Sequence, residues 1–271
     1  MQEIIRVSDV EKYYGNGDQV TKAVDRVSFA VQQGEFIGVM GASASGKTTI
    51  LKIINGLIPA DSGQVRLGAK VHIGYYDQEQ QLLAPEKTIF EEISDAYPAL
   101  DNTRIRTVLA AFLFTGDDVF KRISELSGGE RGRVSLAKLM LSDANFLILD
   151  EPTNHLDIVS KEILENAVRS YLGTVLYVSH DRYFINTTAT RILELTEGGL
   201  RNYPGNYDDY LEKKEHPVTA GTGGAFTVIS SAPSSQEASK ISEGKADYQR
   251  QKEEAARIRK RQNDLARTED R

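Results

Sequence analysis

The 271-residue sequence contains no cysteine. That excludes a disulfide framework and any cysteine-ligated metal site, and nothing in it points to an oxidising compartment. No apolar run approaches the roughly 18 residues needed to cross a bilayer. Met1 to Val7 has neither the basic flank nor the apolar stretch of a signal peptide, so the expected location is the cytoplasm. A net charge of -6 argues against a protein that coats nucleic acid over its whole surface, because phosphate binding is driven by clustered Lys and Arg. The acidity is uneven: residues 240–271 carry 10 basic and 7 acidic side chains. Any contact with RNA would be local and would favour this tail.

What is present is enough for one sizeable α/β domain plus an appendage, with 40% hydrophobic and 27% charged residues. Short apolar runs at Ile4 to Val7, Val27 to Val31 and Phe36 to Met40 read as strands, and the third runs straight into a glycine-rich loop. Ile50, Leu51, Ile53, Ile54 and Leu57 fall at helical spacing, and Gly56 and Pro59 mark that helix's end. Further strands are expected around Val65 and from Val71 to Tyr75, then a helical region from Thr88 to about Ser124 and a helix over Gly128 to Leu141. The run Phe146 to Leu149 is too short for a helix and reads as a buried parallel strand. Helix 158–170, strand 174–178, helix 183–187 and strand 191–195 continue the alternation, which implies a parallel sheet covered on both faces.

Composition divides the chain into a domain over 1–215, a flexible Gly/Ser/Thr/Ala/Pro linker over 216–238 and a partial helical or coiled-coil tail over 239–271. In the tail, Tyr248, Ala255, Gln262 and Gln251, Ile258, Leu265 occupy two positions of a weak heptad. The tail ends without a capping signal, as a truncated arm would.

Three segments carry chemistry. Gly41-Ala42-Ser43-Ala44-Ser45-Gly46-Lys47-Thr48 fits the phosphate-binding pattern G-x-x-x-x-G-K-[ST] between a strand and a helix. Backbone N–H groups there cradle a β-phosphate, Lys47 reaches the β and γ phosphates, and the Thr48 hydroxyl ligates Mg²⁺. Phe146-Leu-Ile-Leu-Asp150-Glu151 is an apolar strand ending in two acids, placing Asp150 to hold Mg²⁺ through water and Glu151 to polarise an attacking water. Taken alone, the pair could equally be a solvated turn. Leu126-Ser127-Gly128-Gly129-Glu130 opens a helix, so its free N–H groups and the Ser127 hydroxyl offer a second anion site.

Together these motifs resemble those of the ABC ATPases, LSGGE being similar to their signature. The resemblance implies a P-loop NTPase nucleotide-binding domain: a parallel core sheet, a small antiparallel β subdomain, a helical subdomain and, here, a C-terminal helical tail. It also implies ATP and Mg²⁺ as ligands, with Thr49 completing the phosphate loop. Ser127, Gly128, Gly129 and Glu130 would act in trans on a second domain's γ-phosphate, so one copy cannot form a site alone. Gln78 is implied as the residue sensing Mg²⁺ and the attacking water, and His180 as the switch histidine at the γ-phosphate. Tyr14 is implied as the adenine-stacking aromatic, with Tyr13 the alternative and core packing the plain reading of either.

From about Thr48 to Lys213 the chain resembles the second ATPase domain of ABC-F proteins, soluble members that act on the ribosome. Val71-His-Ile-Gly-Tyr-Tyr-Asp-Gln78, Leu126-Ser-Gly-Gly-Glu-Arg-Gly-Arg133, Asp150-Glu-Pro-Thr-Asn-His-Leu-Asp157, Ser179-His-Asp-Arg-Tyr-Phe184 and Tyr203-Pro-Gly-Asn-Tyr207 carry that resemblance. The tail from Ser239 resembles the start of that family's C-terminal coiled coil. The first 45 or so residues are instead similar to the ATPase subunits of lipoprotein and macrolide exporters, through Lys12-Tyr-Tyr-Gly-Asn-Gly-Asp18, Lys22-Ala-Val-Asp25 and Gly34-Glu-Phe36. The chain therefore reads as a mosaic joined inside the phosphate loop.

The implied function is ATP hydrolysis by an ABC-F-type domain on the ribosome, with the basic tail touching ribosomal RNA. Two alternatives are the energy-coupling subunit of an exporter, partnered by a transporter membrane subunit, and a fragment that binds ATP without turnover. Ala44 departs from both families, which usually have glycine there. If the position needs positive φ, its methyl group costs roughly 1 kcal/mol.

Overall fold

The computed structural model describes residues 2–15, 20–77, 83–154, 156–196 and 199–215. The chain divides into two units, Met1–Val218 and Thr219–Arg271, and every described residue lies in the first. The expected linker over 216–238, the tail over 239–271 and Gln78 all fall outside the described residues, as does His155.

Two sheets organise the domain. Strands β1 (Glu3–Tyr14), β2 (Thr21–Gln32) and β4 (Ser62–Leu67) form a three-stranded antiparallel sheet in the order β2-β1-β4. Strands β3 (Phe36–Gly41), β5 (Ile73–Asp77), β6 (Phe146–Asp150), β7 (Thr174–Val178), β8 (Arg191–Thr196) and β9 (Gly199–Pro204) form the second sheet, in the order β5-β6-β7-β3-β8-β9. The five neighbours from β5 to β8 are parallel, as the alternation of strands and helices implied. The exception is the edge strand β9, which pairs antiparallel with β8, because two residues leave no room for a crossover.

The central strands are buried on both faces, which is why β6 reads as an unbroken apolar run. Phe146 and Ile148 point into a core shared with the antiparallel sheet and α1 (Lys47–Ile54), while Leu147 and Leu149 point into the core built by the other helices. Those helices are α2 (Ile89–Ala96), α3 (Asn102–Ala111), α4 (Gly128–Met140), α5 (Ile158–Ser170), α6 (Arg182–Thr188) and α7 (Tyr207–Glu215).

The expected helical region from Thr88 to Ser124 is not continuous. Pro98 bars helical geometry at Tyr97, which adopts φ -133°, and α2 ends there. Positive φ at Leu113 (63°) follows the end of α3, and two 3-10 turns come next, at Gly116–Phe120, opened by Gly116 (φ 55°), and at Ile123–Glu125. Helix α1 stops at Ile54, short of the expected Leu57, where Gly56 at φ 72° lets Leu57 N donate back to the Lys52 carbonyl. Both ends of the first sheet's strands extend beyond the apolar runs, because antiparallel pairing, and not burial alone, sets their length.

β3, before the phosphate loop, hydrogen-bonds β7 on one side and β8 on the other.

Candidate functional site

The carboxyl ends of β3, β6 and β7 lie side by side, and the loops leaving them bring the predicted residues together. This is where open α/β sheets bind ligands. After β3, the chain turns through residues 42–45 into α1. Gly41 (φ 153°) and Gly46 (φ 87°) take backbone conformations that suit glycine, and Gly46 is the residue immediately before the helix. No side chain caps α1, so its first N–H groups stay available to an anion. Ser45 Oγ is buried without a hydrogen-bond partner, an orphaned group that a phosphate oxygen would satisfy.

Lys47 is 7% exposed, and its Nζ donates to the carbonyls of Gly41 (2.9 Å) and Ala42 (2.8 Å). Burial pushes the ammonium below its ordinary value, and the Glu151 and Asp150 charges oppose that shift. Thr48 Oγ1 donates to Asp150 Oδ1 at 3.2 Å, joining the start of α1 to the end of β6. Asp150 is itself buried. Desolvation raises its carboxyl above the ordinary range despite the Thr48 hydrogen bond, and Asp77 and Glu151 add to the rise. Thr49 follows in the first turn of α1, half-buried.

Ala44 has φ 63°, the positive value that its departure from glycine put in question. The methyl group there costs about 1 kcal/mol. A free loop can relax some of that strain, whereas a loop gripping phosphate cannot. Ala44→Gly is therefore expected to tighten ATP binding by about 2- to 5-fold, measured by titration calorimetry; an unchanged or weaker affinity would show that the strain is not felt in the bound state.

Glu151, the first residue after β6, also has positive φ (47°). Strained non-glycine residues persist only where their surroundings hold them. Here Glu151 N donates to Val178 O at 3.0 Å, its Oε2 accepts from His180 N at 3.2 Å, and its Oε1 lies 3.2 Å from His180 Nε2. Twenty-nine residues apart in the chain, Glu151 and His180 meet because β6 and β7 pair with Asp150 opposite Val178. The His180 side chain is otherwise 61% exposed, open to a ligand.

The Ser127 motif lies at the start of α4. Its hydroxyl accepts from Glu130 N (3.3 Å), while the Glu130 carboxylate takes both Ser127 N (2.8 Å) and Ser127 Oγ (2.7 Å). The reciprocal cap ties up the hydroxyl that was expected to face an anion, so that hydroxyl must turn away from Glu130 before it can donate elsewhere. Gly128 is exposed, and among the described residues a methyl group built there meets nothing within 4 Å. Gly129 is half-buried in the same turn.

The same cap makes a pH prediction. Hydrogen bonds from the Ser127 backbone and side chain hold the Glu130 carboxyl below its ordinary value of about 4.5. A carboxyl depressed in the folded state stabilises the protein above its unfolded pKa and loses that contribution as pH falls through the folded one. Solvent screens the group, so the contribution is at most about 1 kcal/mol. Melting temperatures should fall more steeply below pH 4.5 in the parent than in Glu130→Gln, and parallel curves would rule out this contribution.

Tyr14 ends β1 with 47% of its surface exposed and Lys12 Nζ 5.9 Å from its ring centroid. Tyr13 is less available: its hydroxyl donates to Glu11 and its backbone N–H to Asp61. A cavity of about 400 Å³ lies between Ala42, Ser43 and Ala44 of the phosphate loop and Ala23 and Val24 of β2.

Two site residues stand within quoted motifs but received no role from sequence: Thr153 and Ser179. Both are buried, and their hydroxyls meet at 3.0 Å behind the Glu151–His180 pair. Their nearness in sequence to Glu151 and His180 is the one signal the sequence carries for them.

The family profile described as ABC transporter matches residues 24–154. The chain is 50% identical over 212 residues to the putative ATP-binding protein YdiF of Bacillus subtilis (strain 168), covering 78% of this chain and 33% of that protein. Over 218 residues it is 39% identical to the energy-dependent translational throttle protein EttA of Haemophilus influenzae, covering 79% of this chain and 38% of that one. The chain thus spans about a third to two fifths of the length of these curated relatives. Among solved structures it is similar to a dimeric post-hydrolysis state of the ATP-binding cassette MJ0796 bound to ADP and Pi. The TM-score is 0.64 at 26% identity, covering 74% of this chain and 98% of that one.

Proposed function

Because this chain carries an ABC transporter ATPase domain with relatives of the ABC-F kind, we propose that it binds ATP with Mg²⁺ and hydrolyses it when two such domains close head to tail. The observation that carries this reading is the contact of Glu151 with His180, at the same sheet end as Lys47 and the Thr48–Asp150 hydrogen bond.

The residues fit a magnesium ion. Asp150 is a buried carboxylate beside the Thr48 hydroxyl, crowded by like charges that a cation would neutralise. Among the described residues, no three His, Asp or Glu side chains could hold a metal unaided. That suits Mg²⁺, which relies on one or two protein oxygens, water and substrate phosphates. When bound, it would draw charge from the phosphate oxygens.

The protein's own contributions follow from geometry. Lys47 exchanges its carbonyl partners for phosphate oxygens, and the uncapped start of α1 adds its N–H groups. The nucleoside runs through the cavity beside Ala42–Ala44 towards Tyr14. Glu151 accepts the proton of the attacking water as the new oxygen–phosphorus bond forms and the bond to ADP breaks, releasing phosphate. His180 orients Glu151 and reaches the γ-phosphate. Its exposed side chain and the Ser127 cap both await a second domain, which supplies its own signature turn. The dimeric state of MJ0796 supports that pairing.

The name of EttA, a translational throttle protein, supports ribosomes as the larger target, with Gln78 and the basic residues 239–271 as further contributors. Two measurements test the reading. ATPase rate should rise faster than linearly with protein concentration, and a rate strictly proportional to concentration would defeat pairing between copies. The chain should co-sediment with ribosomes in ATP and lose this on deletion of 239–271; no binding under any nucleotide would remove the ribosomal part.

A further inference from the structure

Resting on the hydrolysis reading above, we propose that Thr153 and Ser179 form a positioning pair that holds Glu151 and His180 in register. The two reacting-site loops leave neighbouring parallel strands whose paired register ends at Asp150 and Val178, one residue short of Glu151 and two short of His180. Glu151 then takes a backbone conformation that L side chains rarely adopt. Its bonds to Val178 and His180 are one hold, and the spacing of the two loops calls for a second.

Thr153 and Ser179 supply one. They are 3% and 2% exposed, and their hydroxyls lie 3.0 Å apart. Ser179 Oγ also accepts the N–H of Asp181 at 3.1 Å, so it is engaged from both sides of His180. Asp181 in turn caps α6 through the N–H groups of Tyr183 and Phe184 and pairs with Lys161 of α5 at 2.8 Å. On the other loop, Asn154 N donates to the Glu151 carbonyl at 3.1 Å, closing the turn in which Glu151 and Thr153 sit. A chain of bonds therefore runs from the Glu151 turn through two buried hydroxyls to the helices behind His180. Both residues are shut away from solvent. Removing one hydroxyl leaves the other buried and short of a partner, and the two loops free to slide apart.

The test uses the full chain at a concentration where turnover per chain no longer rises. Thr153→Val keeps the shape and removes the hydroxyl; Thr153→Ser keeps the hydroxyl; Ser179→Ala attacks the pair from the other side. Thr153→Val and Ser179→Ala are expected to lower kcat by roughly 10- to 100-fold with KM for ATP within about 2-fold, since a displacement near 1 Å costs that much. Thr153→Ser should restore turnover. The His180 imidazole resonance, assigned by its loss in His180→Gln, should move in Thr153→Val and not in Thr153→Ser. Parental kcat together with an unmoved resonance in Thr153→Val overturns the proposal, as does equal damage from Thr153→Ser. A parent that never turns over defeats the hydrolysis reading instead, and the resonance then decides the pair alone.

Discussion

Replacing Glu151 with glutamine is expected to lower ATP turnover by about 10³-fold while leaving ATP binding intact. Loss of a general base typically costs 10²- to 10⁴-fold, and Glu151 is placed for that role by His180 at 3.2 Å. Glutamine preserves the size of the side chain and an oxygen able to accept the His180 backbone N–H, so the strained turn at φ 47° has no new reason to rearrange. What disappears is the capacity to take a proton from water. With hydrolysis blocked, the closed pair has no route to product and should accumulate as an ATP-bound dimer, visible by size-exclusion chromatography with light scattering. Single-turnover rates in Glu151→Gln equal to the parent's would assign the base elsewhere. A variant that neither hydrolyses nor dimerises would place the loss in closure and not in chemistry.

The second large effect is expected at Gly46. Its φ of 87° is costly for any residue with a Cβ, and a methyl group built there would lie 2.0 Å from the Ala23 carbonyl oxygen and 3.2 Å from Val24 Cγ2. The first of these is backbone in β2 and cannot swing away as a side chain would. Gly46→Ala therefore has to push the phosphate loop off the antiparallel sheet or abandon the conformation that presents its N–H groups. Backbone strain and overpacking each cost roughly 1 to 3 kcal/mol. Global stability should fall by about 3 kcal/mol and ATP affinity by at least about 100-fold, checked by urea denaturation and by binding of a fluorescent nucleotide. Gly128→Ala is the informative contrast, because a Cβ there meets nothing within 4 Å among the described residues. The fold and the binding of ATP to one domain should survive it. Any loss of turnover in that variant would come from contact with a partner, which ties the signature turn to action in trans. Parental ATP affinity in Gly46→Ala would show that the loop tolerates displacement from β2.

The phosphate loop, the acidic strand end and the signature turn are legible in the sequence because each is a local device. Spacing along a few residues sets which N–H groups converge and which side chain follows. The central strands are legible for a related reason: burial on both faces forces a continuous apolar run, so Phe146 to Leu149 could be nothing else between its flanking turns. The conformation of Ala44 follows from the sequence only as a condition. The sequence names the residue, but the sign of its φ depends on β3 and α1 being held at a set distance and angle.

Other features have no local signature. The edge strand β9 and helix α7 follow a tight return of the chain that packs Tyr203, Tyr207 and Tyr210 against one another and places Tyr210 and Lys214 on the buried Glu194, a network assembled from residues up to 20 positions apart. In the region after Thr88 the end of α2 is legible at Pro98, whereas the end of α3 turns on Leu113, whose type gives no hint of positive φ. Sequence by itself determined which chemical groups this protein has and the short elements that carry them, since propensity, periodicity and loop chemistry act over a few residues. Only the tertiary structure decided that Glu151 meets His180, that Thr153 meets Ser179 and that Gly46 abuts Ala23. Those meetings follow from strand order and register, which arise from packing the whole sheet against its two layers and are written in no single stretch of chain.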